Sequence, residues 1–441
     1  MVKGKFHLKD GVCMKKTKLI LGAWLLTGSL LGYMPTGNCM SLSLDEAVDM
    51  AMKNNPDVLI TQLGEEKAKA GLRQARGQNS ISWTAGSTFG RSDNNNLGWN
   101  NSNNNKISAS LPIYSGGVNQ NNIRSSELDV DIAKLQTERK WETTQLAVIQ
   151  AYYDVLEAQK KIGVYEDTVN KYQQHLINVE QLYSAGSKAK VEVLRSEVEL
   201  SNARQDLIKG KNTYDNNLST LRNLLYLDSQ EPLELTDDFA YIPFAGSIGD
   251  CVDFALANRK ELLIDSYQLQ QKELAVKNAK AGYLPTVDLS LGAGWNKQVL
   301  PDGDNHEYSA SIGVSWNIFD SGVTAGKVDA ANTELKIAQA TLQKDKNDID
   351  LSVRKNYNSM REAEERFNST ETAIKQAEED YFIAQEKYKA GEGIMLDIID
   401  AQEALSTARQ NYISAQYDYA RYKAALEADM GGTNEPAPID N

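Results

Sequence analysis

The chain contains one long internal repeat. Leu44–Ile60 aligns without a gap on Ile248–Ile264, and identical residues in the two segments, such as Asn54 and Asn258, stand 204 positions apart. Two later pairs of segments match at an offset of 205, Ser110–Val118 with Ser315–Val323 and Leu182–Gly186 with Lys387–Gly391. Solenoid repeats have shorter periods of roughly 20 to 50 residues. The chain is therefore a duplicated half-molecule, and its fold must contain every element twice.

The N-terminal residues have the pattern of a secretory signal peptide. A basic stretch, Met14–Lys18, precedes a short apolar run, Leu19–Leu31, which is followed by glycine, proline and small residues. The run is shorter than the roughly 20 apolar residues that an ordinary membrane-spanning helix needs. We therefore predict a signal peptide over residues 1–40, with the mature chain starting near residues 39–42.

The net charge and the cysteine spacing argue against several possible functions of the chain. The 441 residues carry a formal net charge of −13, and no basic patch is interleaved with aromatic residues, which argues against nucleic-acid binding. The three cysteines, Cys13, Cys39 and Cys251, have neither disulfide nor metal-site spacing. Cys251 stands where the first copy has Ala47, so we interpret it as a small core residue. Cys39 is at a suitable distance for lipidation, but Asn38 stands where a small residue is expected.

Each copy contains two segments in which apolar and polar residues alternate: Ile81–Gly90, Ile107–Ile113, Thr286–Asn296 and Ala310–Ile318. The alternation is typical of a strand with one apolar and one polar face, and roughly 9 to 11 tilted residues span a bilayer. Aromatic residues stand at or near the segment ends, where membrane strands carry aromatic girdles. We predict four membrane-spanning strands, joined in pairs by solvated loops over Arg91–Asn105 and Lys297–Glu307.

A half-buried sheet in a soluble sandwich has the same alternation. The signal peptide argues against this alternative, as does the lack of another strand-rich region that would supply a partner sheet. Four strands are too few to close a barrel, since single-chain membrane barrels begin at about eight strands. An open sheet edge in lipid leaves backbone groups unpaired at several kcal/mol each. The strand count therefore predicts an oligomer whose chains share one barrel.

After each strand pair the apolar period changes from two to that of a coiled-coil seam, with alternating spacings of three and four. The seams are Val155, Ala158, Ile162, Tyr165, Val169, Tyr172, Leu176, Val179 and Tyr183 in the first copy, and Met360, Ala363, Phe367, Thr370, Ile374, Ala377, Tyr381, Ala384 and Tyr388 in the second. Glycines follow each seam, and the pattern then resumes, so each copy is predicted to form an antiparallel helical hairpin. The first arm, Val118–Tyr183, would be about 100 Å long at about 1.5 Å per residue.

The remaining segments complete the predicted organisation. Helices are expected before each strand pair, near Leu44–Gln78 and Ile248–Lys280, and Ser229–Ser247 is interpreted as an irregular linker. The predicted domains are a signal peptide over 1–40, a first repeat over 41–235, a second repeat over 236–430 and a disordered tail over 431–441. The fold class is mainly α with a four-strand membrane β contribution.

This order of elements, repeated once over roughly residues 42–430, resembles the outer-membrane efflux protein family, the TolC-like export ducts. The more specific matches are the strand exits Leu111–Gly117 and Trp316–Gly322 and the turn segment Lys387–Gln402. The resemblance implies a homotrimer with a trimeric α-barrel across the periplasm and one shared β-barrel of about 12 strands in outer-membrane lipid. It also implies two partners, a periplasmic adaptor (membrane fusion protein) and an inner-membrane transporter.

The resemblance also implies a pore constriction at the hairpin turns. It places Asp397 and Asp400 where acidic residues narrow the pore, with Tyr388 beside the turn, and the first copy has Glu192 and Arg195 at the equivalent positions. We hypothesise that Asp397 and Asp400 form a carboxylate ring that favours cations and that Arg195 or Lys190 pairs with this ring across hairpins. The alternative is that these residues are solvated charges on a helix surface. Tyr183 and Tyr388 are each interpreted first as packing residues.

The turns are the predicted adaptor-docking surface. Gly186 lies in the segment 184–191, and Gly391 and Gly393 lie in the segment 389–396. Helical tips of this kind meet helical hairpins through interlocking seams. Characterised relatives can carry a basic residue where this chain has Gly393, so any latch in this protein must differ.

Catalysis has little support in the sequence. His7, His175 and His306 are isolated, and no Ser/His/Asp arrangement or phosphate loop occurs. We predict no enzyme activity, cofactor or metal, and interpret the chain as a passive outer-membrane exit duct for small molecules or proteins. The alternative is a periplasmic coiled-coil adaptor or envelope spacer, although an adaptor would normally have one hairpin flanked by compact β-domains.

Overall fold

Two long helical hairpins and a four-stranded sheet make up most of the chain. The structure, a computed structural model, describes residues 40–94, 98–227, 233–299 and 302–432. The elements in chain order are β1 Met40–Leu42, α1 Leu44–Asn54, α2 Pro56–Gln78, β2 Ser82–Asn94, β3 Gly98–Tyr114, α3 Val118–Ser184, α4 Lys190–Leu225, β4 Leu233–Leu235, α5 Ile248–Asn258, α6 Lys260–Lys280, β5 Thr286–Val299, β6 Asp302–Ser315, α7 Val323–Ala390 and α8 Met395–Asp429. The sequence of elements from α1 to α4 recurs from α5 to α8, in agreement with the duplication.

The predicted helix before each strand pair is divided in two. Asn55 ends α1 and caps α2, since its side-chain oxygen accepts a hydrogen bond from the N–H of Asp57 at 2.9 Å. Pro56 follows it, and a residue before proline is disfavoured in the helical conformation. In the second copy the break is at Arg259, which has extended backbone and forms an ion pair with Asp429 at 3.0 Å. Helices therefore occupy both predicted ranges, near Leu44–Gln78 and Ile248–Lys280, and each range holds two helices.

The long helices agree with the predicted seams. α3 and α7 have 67 and 68 residues, which at about 1.5 Å per residue is roughly 100 Å. Every predicted seam residue is buried or half-buried, apart from Tyr183, which is exposed. α3 packs along both α4 and α8, and α8 packs along α7, so the helices lie in the order α4–α3–α8–α7.

The sheet has the strand order β2–β3–β5–β6, and all three pairings are antiparallel. The predicted loops over Arg91–Asn105 and Lys297–Glu307 are mostly strand, because pairing continues to Asn94 with Gly98 and to Val299 with Asp302. Backbone hydrogen bonds do not require alternating side chains, so polar segments can extend a ladder beyond its apolar part. The fourth strand, in turn, ends at Ser315, before the end of the predicted segment Ala310–Ile318.

The register brings the apolar residues of the four strands onto one face. Ala109 pairs with Trp83 on one side and with Leu291 on the other, and Leu291 pairs with Ala310. The neighbouring rows have the same character, with Ala85, Ile107, Ala293 and Tyr308 in one and Leu111, Leu289 and Ile312 in the other. The opposite face carries glycines and hydroxyls, for example the Ser82 and Ser110 hydroxyls, 2.7 Å apart.

The linker between the repeats contains a strand that the sequence did not predict. β4 pairs in parallel with β1, Met40 with Leu233 and Leu42 with Leu235. After it, irregular backbone crosses the last two helices, where Tyr419 donates a hydrogen bond to the Ile242 carbonyl at 2.7 Å. Residues 228–232 of the linker region, residues 1–39 with Cys39, and residues 433–441 of the predicted tail lie outside the described residues. Among the described helices, none has the length and apolar character needed to cross a bilayer.

Candidate functional site

The site is built from the two hairpin turns. Gly186 and Gly391 have φ angles of +76° and +78°, a left-handed conformation that glycine adopts without steric cost, and they end the long helices α3 and α7. In the second turn the N–H groups of Glu392 and Gly393 both donate to the Lys387 carbonyl, at 2.9 and 3.0 Å. All three glycines predicted at the turns are therefore turn residues.

Gly393 has little room for a side chain. A Cβ atom at this position would lie 3.0 Å from the backbone nitrogen of Tyr388 and 3.1 Å from the Cβ of Lys387. The turn would have to shift to accept any other residue. A basic side chain at position 393 would therefore require the turn to move by a few tenths of an ångström.

Behind the turns, three helices share a small apolar core. Its buried members are Val179 from α3, Ala384 and Tyr388 from α7, and Met395, Ile398 and Ala401 from α8. Tyr388 is only 5% exposed. The second turn is therefore packed against the first hairpin through Tyr388 and its neighbours, in agreement with the packing role predicted for this tyrosine.

Tyr388 also forms a polar link between the hairpins. Its hydroxyl donates a hydrogen bond to the Oε2 of Glu192, at 2.8 Å. The Nζ of Lys188 lies 3.6 Å from the same oxygen and 4.3 Å from the centre of the Tyr388 ring. Burial raises the pKa of Tyr388 and the bond to Glu192 raises it further, so the phenol remains protonated and continues to donate. The sequence placed Tyr388 and Glu192 at the turns but did not pair them.

His175 is the residue of this site that the sequence analysis did not identify. Its ring lies on α3, 5.5 Å from the ring of Tyr388, and its Nε2 atom is buried without a hydrogen-bond partner among the described residues. Burial lowers the pKa of His175, while the Glu192 carboxylate acts in the opposite direction. One feature of the sequence could have indicated its role: His175 stands next to Leu176, a seam residue, in the last three turns of the predicted first arm.

A cavity of about 690 Å³ opens between α3 and α7 at this end of the hairpins. His175, Tyr381 and Tyr388 contribute rings to its wall, and Lys171 and Lys389 contribute charge. The Nζ of Lys171 lies 4.8 Å from the centre of the Tyr381 ring. No group of three or more His, Cys, Asp or Glu side chains suited to a metal ion occurs in the part of the chain that the structure describes.

The predicted carboxylates have different surroundings. Asp397 is exposed and accepts a hydrogen bond from the N–H of Ile394 at 3.4 Å, at the start of α8. Asp400 is exposed and lines a shallow groove together with Glu403. Arg195 and Lys190 are exposed, and within one chain neither forms an ion pair with the described residues. The structure therefore joins Glu192 to Tyr388 but leaves Asp397 and Asp400 facing outward, and a ring built across several chains stays a prediction.

The chain is similar in sequence to known outer membrane proteins. Residues 47–225 and 252–432 match the model of the family described as outer membrane efflux protein. The outer membrane protein TolC of Vibrio cholerae is 22% identical over 429 residues, which are 90% of this chain and 92% of TolC. The alkaline protease secretion protein AprF of Pseudomonas aeruginosa is 23% identical over 298 residues, 65% of this chain. That match spans only 61% of the length of AprF.

A solved structure has the same fold. The outer membrane protein VceC of Vibrio cholerae superposes with a TM-score of 0.79 at 17% identity, over 89% of this chain and 97% of that one. The combination of two helical hairpins and a four-stranded sheet in this chain is therefore the fold of a known outer membrane protein.

Proposed function

Because the chain belongs to the outer membrane efflux protein family, we propose that it is the outer-membrane channel of a tripartite efflux or secretion system. In this proposal the chain is a passive exit duct, with the sheet in the outer membrane and the hairpins in the periplasm. The observation that carries the proposal is the register of the sheet, which aligns apolar side chains on one face and hydroxyls and glycines on the other. Such a sheet suits lipid on one side and a polar lumen on the other.

A homotrimer would complete the sheet. Among the described strands, β2 and β6 each pair on one side only. Backbone groups left unpaired in lipid cost several kcal/mol each, and three chains of four strands would remove these edges in a barrel of about 12 strands. The two helices at the ends of the helix order, α4 and α7, support the same assembly because both expose apolar side chains. These are Val191, Leu194 and Val198 on α4 and Phe382 and Ile383 on α7. A neighbouring copy would cover both helices in a trimeric α-barrel.

The partners in this proposal are a periplasmic adaptor and an inner-membrane transporter that drives export. The turns are the proposed docking surface, and Ile394 and Leu396 expose apolar side chains there. AprF, which this chain resembles over part of its length, is described as a protease secretion protein. Cargo of this chain would be small molecules or proteins.

The turns also supply a closing contact and a charge filter in this proposal. The Tyr388–Glu192 hydrogen bond would hold the second hairpin against the first at the narrow end. Three copies of Asp397 and Asp400 would surround the opening as a carboxylate ring, and such rings favour cations. Arg195 or Lys190 of an adjacent hairpin would pair with that ring.

A pair of neighbouring substitutions tests the proposed function. Leu291 lies in the apolar face of the sheet and Ser290 in the polar face. An arginine on the lipid face costs about 2–4 kcal/mol near the bilayer midplane, whereas a lumen position accepts charge. We expect Leu291→Arg to lose the heat-modifiable oligomer from the outer-membrane fraction, and Ser290→Arg to keep it. A wild-type chain that fractionates as a soluble periplasmic monomer would instead support the adaptor or spacer alternative.

A further inference from the structure

We propose that His175 is a proton-sensitive residue of the duct, which keeps the hairpin ends closed at neutral pH and releases them when the surrounding solution acidifies. The proposal rests on the function proposed above, because it assigns a regulator to the narrow end of that duct.

The geometry couples His175 directly to the link between the hairpins. Its ring is 5.5 Å from that of Tyr388, whose hydroxyl binds Glu192 at 2.8 Å. The Nε2 atom of His175 is buried and has no hydrogen-bond partner among the described residues. A proton on that nitrogen would therefore place an unsatisfied charge in the contact between α3 and α7, which is unfavourable in a buried site.

The charged groups around His175 are mostly positive. Lys171 comes from α3, Lys188 from the first turn, and Lys389 from α7, while α8 contributes the apolar Ile398. Glu192 of α4 is the carboxylate that acts on the imidazole. Two of the lysines have other partners, Asp167 for Lys171 at 3.1 Å and Glu386 for Lys389 at 2.8 Å.

Burial and Glu192 together set the direction in which closure depends on pH. Burial is the largest influence on the pKa of His175 and lowers it, so it outweighs the attraction of Glu192. The closed arrangement then binds fewer protons than one in which the imidazole is hydrated. As the pH falls below the ordinary histidine pKa of about 6.5, linkage shifts the equilibrium toward the hydrated arrangement. An imidazolium would also attract the Glu192 carboxylate away from the Tyr388 hydroxyl, which weakens the same link.

The test is the conductance of the full mature chain in planar bilayers between pH 7.5 and pH 5.5. We expect the wild-type conductance to rise at least threefold across this range, and that of His175→Gln to stay level. His306→Gln is the matched control, since His306 is exposed on β6 and pairs with Trp295 across the sheet. Asp265→Asn is a second control, because burial raises the pKa of Asp265 to about 6 and it titrates in the same range. Both controls should respond like the wild type.

His175→Phe keeps an aromatic ring against Tyr388 without a titrating nitrogen, so it serves if the glutamine variant assembles poorly. It should also give a level response. The proposal is overturned if either His175 variant responds to pH as the wild type does, or if the wild-type conductance stays constant or falls on acidification. Wild-type protein that forms no pores at any pH overturns the proposed function itself, and this proposal with it.

Discussion

The two repeats contain the same elements, but their hairpin turns have different surroundings. Tyr183 and Tyr388 are equivalent residues, yet Tyr183 is 44% exposed and Tyr388 is 5% exposed. Glu192 and its equivalent Asp397 also differ, because Glu192 accepts from Tyr388 of the other hairpin and Asp397 accepts from Ile394 of its own turn. The number of neighbouring helices does not explain the difference, because exposed Tyr183 lies on α3, which packs along both α4 and α8. The difference follows from contacts between the hairpins, where Tyr388 lies against His175 of α3 and donates to Glu192 of α4. A duplicated sequence predicts each element twice, whereas the contacts between the two hairpins decide which of two equivalent residues becomes buried.

Removing the tyrosine hydroxyl from each turn is the strongest test of this difference between the repeats. Tyr388→Phe keeps the buried ring but loses the bond to Glu192, and Tyr183→Phe makes the same change at the exposed position. A hydrogen bond to a charged group contributes about 1.5–3 kcal/mol, so the closed-to-open ratio should fall about tenfold to a hundredfold per bond lost. We expect a large rise in single-channel conductance or open probability for Tyr388→Phe and none for Tyr183→Phe. Equal responses of the two variants would mean that the repeats contribute equally to closure.

The proposed carboxylate ring depends on a second difference between the repeats. The second turn has two acidic residues, Asp397 and Asp400, where the first has Glu192 and Arg195. Replacing both aspartates by alanine should lower the preference for cations, or relieve cation block, by a few fold in planar bilayers. Glu197→Ala is the control, because Glu197 is an exposed acidic residue of the first hairpin, on α4. If conductance and selectivity are unchanged in the double variant, these aspartates are solvated surface charges.

Periodicity alone predicted much of this architecture. The predicted first arm, Val118–Tyr183, agrees with α3 to within one residue, and the second seam, from Met360 to Tyr388, lies within α7. Alternation located the apolar part of each strand, but β3 begins at Gly98, among asparagines that have no alternation to detect. β1 and β4 have three residues each, too few to show any period. The break at Arg259 also escaped detection, since it carries no proline.

The site was less predictable than the fold. The turn glycines and Tyr388 follow from local sequence, because their spacing from the seam is fixed. The pairing of Tyr388 with Glu192 depends on how two hairpins pack, and residues 196 positions apart carry no local sign of that contact. His175 appeared isolated for the same reason, since its neighbour Tyr388 lies on another helix.

A smaller difference lies in the helices next to the sheet. The second repeat has Asp265 near Asp345, where the first has Thr61 and Lys140, and Lys140 forms an ion pair with Asp57 at 2.7 Å. Burial and then Asp345 raise the pKa of Asp265 to about 6. A raised acid pKa means that stability is greatest below the ordinary value of about 3.9 and is lost as the pH rises through about 6.

Asp265→Asn should therefore stabilise the protein above pH 6. The gain should be about 1 kcal/mol once solvent screening of this half-buried group is allowed for, and it should vanish near pH 4. Thermal unfolding followed by circular dichroism at pH 7.5 and pH 4 measures it. Thr61→Asn, the same product residue in the first repeat, should show no such dependence on pH. A gain for Asp265→Asn that is equal at both pH values would rule out the carboxylate pair as its cause.

The smallest expected effect concerns Cys251 and Ala47, two equivalent residues that are buried in both repeats. Substituting each by the other tests whether the two cores are interchangeable. Cys251 is 3% exposed in α5, and its equivalent Ala47 is 0% exposed in α1. Cys251→Ala removes one sulfur atom and should cost at most about 1 kcal/mol, because the void left is small. Ala47→Cys adds an atom to a filled site and should cost about 1–3 kcal/mol through overpacking. Thermal unfolding of the two variants compares these costs directly. If Cys251→Ala lowers the free energy of unfolding by about 2–5 kcal/mol, as a truncated leucine does, the core of the second repeat depends on the thiol, and the two repeats are not interchangeable at this position.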